Sequence, residues 1–186
     1  MTDWNRLFHA YGVAEDTPTH LHDLVGDDAA SRAAAVVHLH SAIIHQGTIF
    51  TATPAALGAV LDTLHEPVLR RPLPNGQAAL VAVLAFIDDV GQSVADAGEL
   101  EPAPAPDEQA LDELFDVLRS EEGDDGAGWD SPLMDTLLIG ALLELRGMAG
   151  RVLAAVQPFA ADDADDVRGA ATNVAECWAA LLPGHA

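Results

Sequence analysis

The chain has 186 residues, with 30 acidic side chains against eight arginines and no lysine, and its formal net charge at pH 7 is −22. A surface of this sign repels nucleic acid and anionic lipid, because binding to either requires cations that neutralise phosphate. The one cysteine excludes an internal disulfide and any metal site built from several cysteines.

Abundant Ala and Leu, with apolar residues at helical spacing, predict an all-α protein and no strand. Helices are expected near residues 3–10, 17–25, 28–45, 54–65, 76–96, 107–121, 131–156 and 164–182. Three of these starts place a hydroxyl residue before proline, which is typical of a helix N-cap followed by Pro at the first helical position. They are Thr17-Pro18, Thr53-Pro54 and Ser131-Pro132.

The end of the third predicted helix carries His45, Gln46, Gly47 and Thr48. A histidine, an amide, a glycine and a hydroxyl so close together could form a catalytic loop. We interpret them as a helix end instead. Gly47 is expected to stop the helix in the left-handed conformation, and His45 to stabilise the negative end of the helix dipole.

Two irregular stretches interrupt the helices. Residues 98–106 are rich in Pro and Ala and predict a semi-rigid linker, whereas residues 121–132 predict a flexible acidic loop that contains Trp129. We expect a single domain over residues 1–186, with N-terminal repeats over 1–97 and C-terminal helices over 107–186.

Segments of the chain resemble one another at regular offsets. The stretches from Thr17 and Thr53 superpose at an offset of 36 residues, and those from Asp27 and Asp163 align at 136. Alternating helix types with a period near 40 residues are typical of α-solenoids. The pattern resembles HEAT-like (armadillo-type) helical repeats of bacterial type. The residues that carry this resemblance are Asp27, Asp28, Arg32, Ala34, Ala35 and Leu39, then Asp165, Asp166, Val167, Arg168, Ala170 and Ala171.

The resemblance implies a short right-handed α-solenoid of stacked antiparallel helix pairs, with about seven or eight helices. It also implies a structural ladder of acidic and arginine residues between successive repeats. In function, it implies a scaffold that binds other molecules.

The acidic residues concentrate in the middle of the chain. Residues 96–135 hold 14 acidic residues and one arginine, a charge of −13, while the other 146 residues carry −9. In the predicted helix from residue 107, an apolar stripe faces the core and acidic residues occupy the outer side. We predict that the acidic side docks a basic protein partner, with Trp129 as an aromatic anchor. The predicted docking residues are Asp112, Glu113, Asp116, Glu121, Glu122, Asp124, Asp125 and Trp129. The alternative is a charged face that only interacts with solvent.

Six of the eight histidines lie between residues 9 and 45. Histidine pairs two residues apart point to different sides of a helix, so their spacing predicts no metal site. The sequence also predicts no cofactor and no catalytic constellation. A site assembled across helices from His22, His38 and His45 is the alternative. Cys177 lies in an apolar helical run and is expected to be an inert core thiol.

The function we expect is a non-catalytic protein-binding module, in its sharpest form an immunity-type inhibitor that binds a cationic toxin or nuclease. Two alternatives stay open. One is a helical enzyme or metal-binding protein that uses the N-terminal histidines, and the other is a structural subunit of a larger assembly. The start of the chain lacks an apolar signal segment, so a cytoplasmic protein without membrane contact is expected.

Overall fold

The computed structural model describes residues 2–120 and 127–182, without the side chains of 127 and 128. These residues are mostly helical, as predicted. The helices are α1 (Thr17–Leu24), α2 (Ala29–His38), α3 (Ala52–Thr63), α4 (Ala79–Asp96), α5 (Glu108–Ser120), α6 (Pro132–Gly147), α7 (Ala149–Val156) and α8 (Asp165–Ala179). Short 3-10 turns lie at Trp4–Arg6, Pro67–Arg70, Ala127–Asp130 and Gln157–Ala161. Among the described helices, none is long and apolar enough to cross a membrane.

Two small β-hairpins correct the prediction that the chain forms no strand. In the first, β1 (Phe8–His9) pairs antiparallel with β2 (Gly12–Val13), so the predicted helix over residues 3–10 is reduced to one 3-10 turn. Gly12 has φ +114°, a backbone conformation that glycine adopts at little cost. Strands of two residues are too short to show the alternation by which a sequence reveals them.

The second hairpin corrects our interpretation of the segment that ends the third predicted helix. After α2, the chain makes a π-helical turn over Leu39–Ile43, and β3 (Ile44–His45) then pairs with β4 (Thr48–Ile49). Gln46 and Gly47, between the strands, both have positive φ, as the tightest hairpin turns require. Gly47 is therefore left-handed as predicted, but in a hairpin turn. His45 does bond the preceding helical turn, because its Nδ1 donates to the Ser41 carbonyl at 3.0 Å.

Of the three predicted N-caps, only Ser131 is confirmed, and its side chain accepts a backbone N–H of α6. Thr17 is the first residue of α1, and its hydroxyl lies 3.0 Å from Nε2 of His38. Thr53 lies inside α3, where its hydroxyl donates to the Ile43 carbonyl at 2.6 Å. Both threonines are fully buried, so their hydroxyls join separate elements instead of capping a helix.

The predicted helix over residues 131–156 is divided. Met148 lies between α6 and α7, with backbone ψ of −7°. The glycines on either side, Gly147 and Gly150, lower the helix propensity at this point. The predicted linker region contains no helix or strand, since α4 ends at Asp96 and α5 begins at Glu108.

Helix α4 lies in the middle of the core and packs extensively on α8, while α1 packs on α2 and α7 on α8. The larger core cluster contains residues from Ala14 to Trp178, so the two ends of the chain share it. Stacked repeats contact mainly their neighbours in the sequence. The contact between α4 and α8 joins helices that are far apart in the chain, and the HEAT-like solenoid stays a prediction.

A second, smaller core cluster joins the first hairpin to α5 and α6. Its buried members are Phe8, Phe50, Leu114, Phe115, Leu118 and Met134. The cluster fixes α5 with its apolar side inward, which confirms the predicted stripe and leaves the acidic side of this helix exposed.

All eight arginines bond to a carboxylate or a backbone carbonyl of the same chain. Arg32 and Arg168, which align in the sequence, each donate to the carbonyl six residues earlier. The adjacent Arg70 and Arg71 bond to Asp162, directly before one aligned segment, and to Asp27, the first residue of the other. The aligned segments therefore share a local structure as well as a sequence pattern.

We expect Gly91→Ala to lower the free energy of unfolding by about 1–3 kcal/mol, because the new methyl group would overfill the contact between α4 and α8. A Cβ at this position would lie 2.5 Å from Trp178 Nε1 and 2.9 Å from Cys177 Sγ. Urea denaturation measures the change. Gly169→Ala in α8 is the matched control, since a Cβ there meets no atom within 4 Å. The control should gain about 0.5–1 kcal/mol, and equal effects at both sites would contradict the packing described.

Candidate functional site

The exposed side of α5 is strongly acidic. Glu108, Asp112, Glu113 and Asp116, which we call the acidic surface, are all exposed to solvent, because the opposite side of the helix is buried in the smaller core cluster. Residues three or four apart share one side of a helix, so the four carboxylates form one continuous row.

Two arginines of the chain already bind to this row. Arg6 donates from Nη1 to Asp112 at 2.7 Å and from Nη2 to Glu108 at 3.0 Å. Arg119 pairs with Asp116 at 3.2 Å. These pairs are solvent-exposed and each contributes little to stability. The pairing also shows that carboxylates four residues apart on α5 can hold one guanidinium group between them.

An apolar groove lies beside the acidic surface, between α5 and the start of α6. It has a volume of about 510 Å³. Its lining residues are Ala110, Glu113, Leu114, Val117, Ser131, Pro132 and Leu133. Val117 is 38% exposed, which is unusual for a large apolar side chain of this protein. Glu113 belongs to both the groove and the acidic surface, so apolar and acidic contacts are available to the same ligand.

The other predicted docking residues are placed differently. Glu121, Glu122, Asp124 and Asp125 lie outside the described residues. Trp129 is half-buried, and its ring packs edge-on against Phe8 at 5.6 Å and Phe50 at 5.9 Å between ring centres. The indole therefore belongs to the smaller core cluster, where it contributes to the packing of the first hairpin.

The three histidines of the alternative metal site, His22, His38 and His45, do not form a group of possible ligands. His22 is exposed on α1, and His45 bonds the Ser41 carbonyl. Only His38 of the three belongs to a group of possible metal ligands, and its companions there are His9 and Asp16. The ligand atoms of this group all lie within 4.8 Å of one another, and it is the one group of its kind among the described residues.

Hydrogen bonds fix the orientation of the His9 ring. Its Nδ1 accepts the backbone N–H of Tyr11 at 3.1 Å, so its proton is on Nε2, which donates to Asp16 at 2.9 Å. The side chain is only 4% exposed. No spacing rule reveals this pair, because His9 lies in β1 and Asp16 precedes α1.

His38 is packed against the same carboxylate. Its Nε2 lies 3.0 Å from the Thr17 hydroxyl, and its Nδ1 lies 3.9 Å from the second oxygen of Asp16. His20 stacks on the His38 ring at 4.1 Å between ring centres, and His20 Nδ1 is buried without a hydrogen-bond partner among the described residues.

Burial and neighbouring groups shift the pKa values of both His38 and Asp16. Burial lowers the pKa of His38 to about 4, against the opposing effect of Asp16. For Asp16, burial acts to raise the pKa, but the hydrogen bond from His9 and the charges of His9 and His38 outweigh it and lower the pKa. At neutral pH, His38 is therefore neutral and Asp16 is ionised.

A histidine, an aspartate and a serine also meet at a second place, but their bonding does not activate the serine. His40 places Nδ1 3.1 Å from Asp89 and Nε2 3.1 Å from the Ala82 carbonyl, so both ring nitrogens face acceptors. The Ser93 hydroxyl donates to the Asp89 carbonyl. Neither nitrogen of His40 is placed to take the serine proton.

The environment of Cys177 favours the thiol over the thiolate. Burial raises the pKa of the Cys177 thiol, and the negative charges of Asp88 and Asp96 raise it further. A protonated thiol is a poor nucleophile and a poor metal ligand. Cys177 is only partly buried at the edge of the larger core cluster, and its inertness stays a prediction.

No family model, curated protein or solved structure matches the chain. The resemblance to HEAT-like repeats stays a prediction, and function has to be argued from the residues themselves.

Proposed function

We propose that the protein is a non-catalytic protein-binding module whose acidic surface docks a basic segment of a protein partner. The observation that carries this proposal is the position of the acidic row on α5 directly beside an open apolar groove. A segment with arginine or lysine side chains and one apolar side would contact both features. An immunity-type inhibitor of a cationic toxin or nuclease is the specific form of this proposal.

The bonds of Arg6 support the proposal that the acidic surface binds cationic side chains. A guanidinium group binds there to carboxylates of successive helical turns, with one charge-assisted hydrogen bond to each. Glu113 has no ion pair among the described residues, and it borders the groove. A cationic side chain of a partner could form an ion pair with Glu113 without displacing Arg6.

The charge of the whole protein supports fast capture of such a partner. A net charge of −22 attracts cationic proteins from a distance. Salt shortens the range of this attraction, and the Debye length is about 8 Å at physiological ionic strength. The groove contributes short-range apolar contact that salt does not screen. Docking by both features should therefore be weakened by salt without being abolished.

The test compares two variants of equal charge. One carries Asp112→Asn, Glu113→Gln and Asp116→Asn in the acidic surface, and the other carries three exposed changes on other elements, Glu66→Gln, Asp163→Asn and Glu176→Gln. Each variant has a net charge of −19, because three carboxylates are removed from −22. A partner retained from lysate of the source organism is then purified and its affinity for each protein is measured.

We expect the acidic-surface variant to bind about tenfold to a hundredfold more weakly, as the loss of three partly exposed charge pairs implies. The control variant should bind like the unmodified protein. Val117→Ser should weaken binding at high salt, where the groove contributes most of the contact. Equal weakening in both charge variants would show that only the overall charge matters, and would refute a docking site on α5.

A further inference from the structure

A second site lies apart from α5, where three separate elements bring two buried histidines to one carboxylate. His9 comes from β1, Asp16 precedes α1, and His38 is the last residue of α2. Both histidine side chains are at least nine-tenths buried, whereas the Asp16 side chain is 52% exposed. The group is therefore enclosed by protein on the histidine side and open to solvent on the aspartate side.

We propose that His9 Nε2, His38 Nδ1 and a carboxylate oxygen of Asp16 bind one divalent transition-metal ion, with Zn²⁺ as the best fit. Two imidazoles and one carboxylate form a ligand set that Zn²⁺ uses when a fourth position is left for water. The exposed side of Asp16 provides that fourth position. This inference does not depend on the acidic surface.

The distances are close to those of a coordinated ion. Ligand atoms about 2.0–2.2 Å from a tetrahedral Zn²⁺ lie roughly 3.3 Å from one another. His9 Nε2 is 2.9 Å from one oxygen of Asp16, and His38 Nδ1 is 3.9 Å from the other. The longer distance exceeds that of a hydrogen bond, so His38 Nδ1 and this oxygen are not bonded to each other. Small rotations of the side chains would bring all three ligands into place around an ion.

The second nitrogen of His38 already has the support that metal-binding histidines require. Its Nε2 faces the buried hydroxyl of Thr17, which can accept a hydrogen bond from the Nε2–H group and so leave the lone pair on Nδ1.

His9 must exchange its tautomer when the ion binds. Its proton, now on Nε2, has to move to Nδ1 through solvent, which leaves the lone pair of Nε2 for the ion. Nδ1 then no longer accepts the Tyr11 N–H, and this amide has to turn toward water. Tyr11 is 57% exposed in the turn of the first hairpin, where such a movement meets little packing. Metal binding should therefore shift the turn that contains Tyr11.

The test uses full-length protein made without an affinity tag and stripped with a chelator. Titration with Co²⁺ should give the visible absorption of a four-coordinate ion at one equivalent, and Zn²⁺ should displace it. Asp16→Asn and His38→Gln should each weaken binding by about a hundredfold or more, since even supporting residues of metal sites typically contribute about tenfold to a hundredfold. His22→Gln and His45→Gln, which replace histidines outside the group, should bind Co²⁺ like the unmodified protein.

A backbone readout separates this site from weak binding by surface carboxylates. In amide NMR spectra, Zn²⁺ should shift the Tyr11 N–H strongly, and circular dichroism should show that each variant remains folded. The proposal is overturned if the stripped protein binds no ion, if a folded Asp16→Asn variant binds as well as the original, or if His22→Gln removes binding. A stoichiometric ion that leaves the Tyr11 amide unmoved would also contradict it.

Discussion

Replacement of Trp178 by alanine is expected to lower the free energy of unfolding by about 3–5 kcal/mol, the cost typical of removing a large aromatic side chain from a core. The Trp178 side chain is 0% exposed and belongs to the larger core cluster. Its indole N–H donates to the Ile87 carbonyl at 2.9 Å, and the ring lies against the surface of α4 at Gly91. Alanine would leave a cavity in the contact that joins α8 to the middle of the core.

Chemical denaturation, monitored by circular dichroism, measures this loss. Trp4→Ala is the comparison, because Trp4 is only half-buried at the edge of the same cluster. The loss in Trp4→Ala should be less than half of that in Trp178→Ala. A small effect in Trp178→Ala would mean that α8 contributes little to the core, contrary to its packing on α4.

Thr53→Val should destabilise the protein by about 2–4 kcal/mol, although valine has nearly the same shape as threonine. The Thr53 hydroxyl donates to the Ile43 carbonyl at 2.6 Å and accepts the Phe50 N–H at 3.0 Å, in a fully buried position. Valine would leave both backbone groups without this partner, and each buried unpaired group costs about 1–3 kcal/mol.

Thr53→Ser is the matched control, since serine keeps the hydroxyl and lacks only the methyl group. Its loss should be about 0.5–1.5 kcal/mol, similar to that of other buried methyl groups. The free energies come from the same denaturation measurements. If serine destabilises more than valine, then the methyl group and not the hydroxyl is what stabilises the second hairpin.

The long helices could be predicted from the sequence because their information is local. An apolar residue every three or four positions identifies α4 and α5, and Ser131 before proline marks the start of α6. The hairpins could not be predicted, because each strand has only two residues and depends on contacts made elsewhere. Phe8, for example, donates its N–H to the hydroxyl of Thr51. A hydroxyl residue before proline can cap a helix or bond to another element. The hydroxyl of Thr17 contacts His38, and the sequence around Thr17 does not show this.

The two candidate sites also differ in how much of each follows from local sequence. The exposed acidic row on α5 follows from helical period alone, whereas its pairing with Arg6 involves residues more than 100 positions apart. The ligand group could not be found by spacing, because His9, Asp16 and His38 belong to three elements. A spacing argument considers only ligand pairs within one helix. Whether ligands from different elements meet depends on the fold, and residue spacing carries no information about that.

The internal bonding of all eight arginines has a consequence for the thermodynamics of association. With 30 carboxylates and eight arginines, 22 negative charges are left to be balanced by ions of the solution. Small cations must therefore gather around the protein, most densely where the carboxylates are closest. A cationic protein that docked on α5 would displace some of them, and their release would contribute favourable entropy, as it does when a cationic protein binds DNA. Association at this surface should then be driven by entropy, with little or no gain in enthalpy.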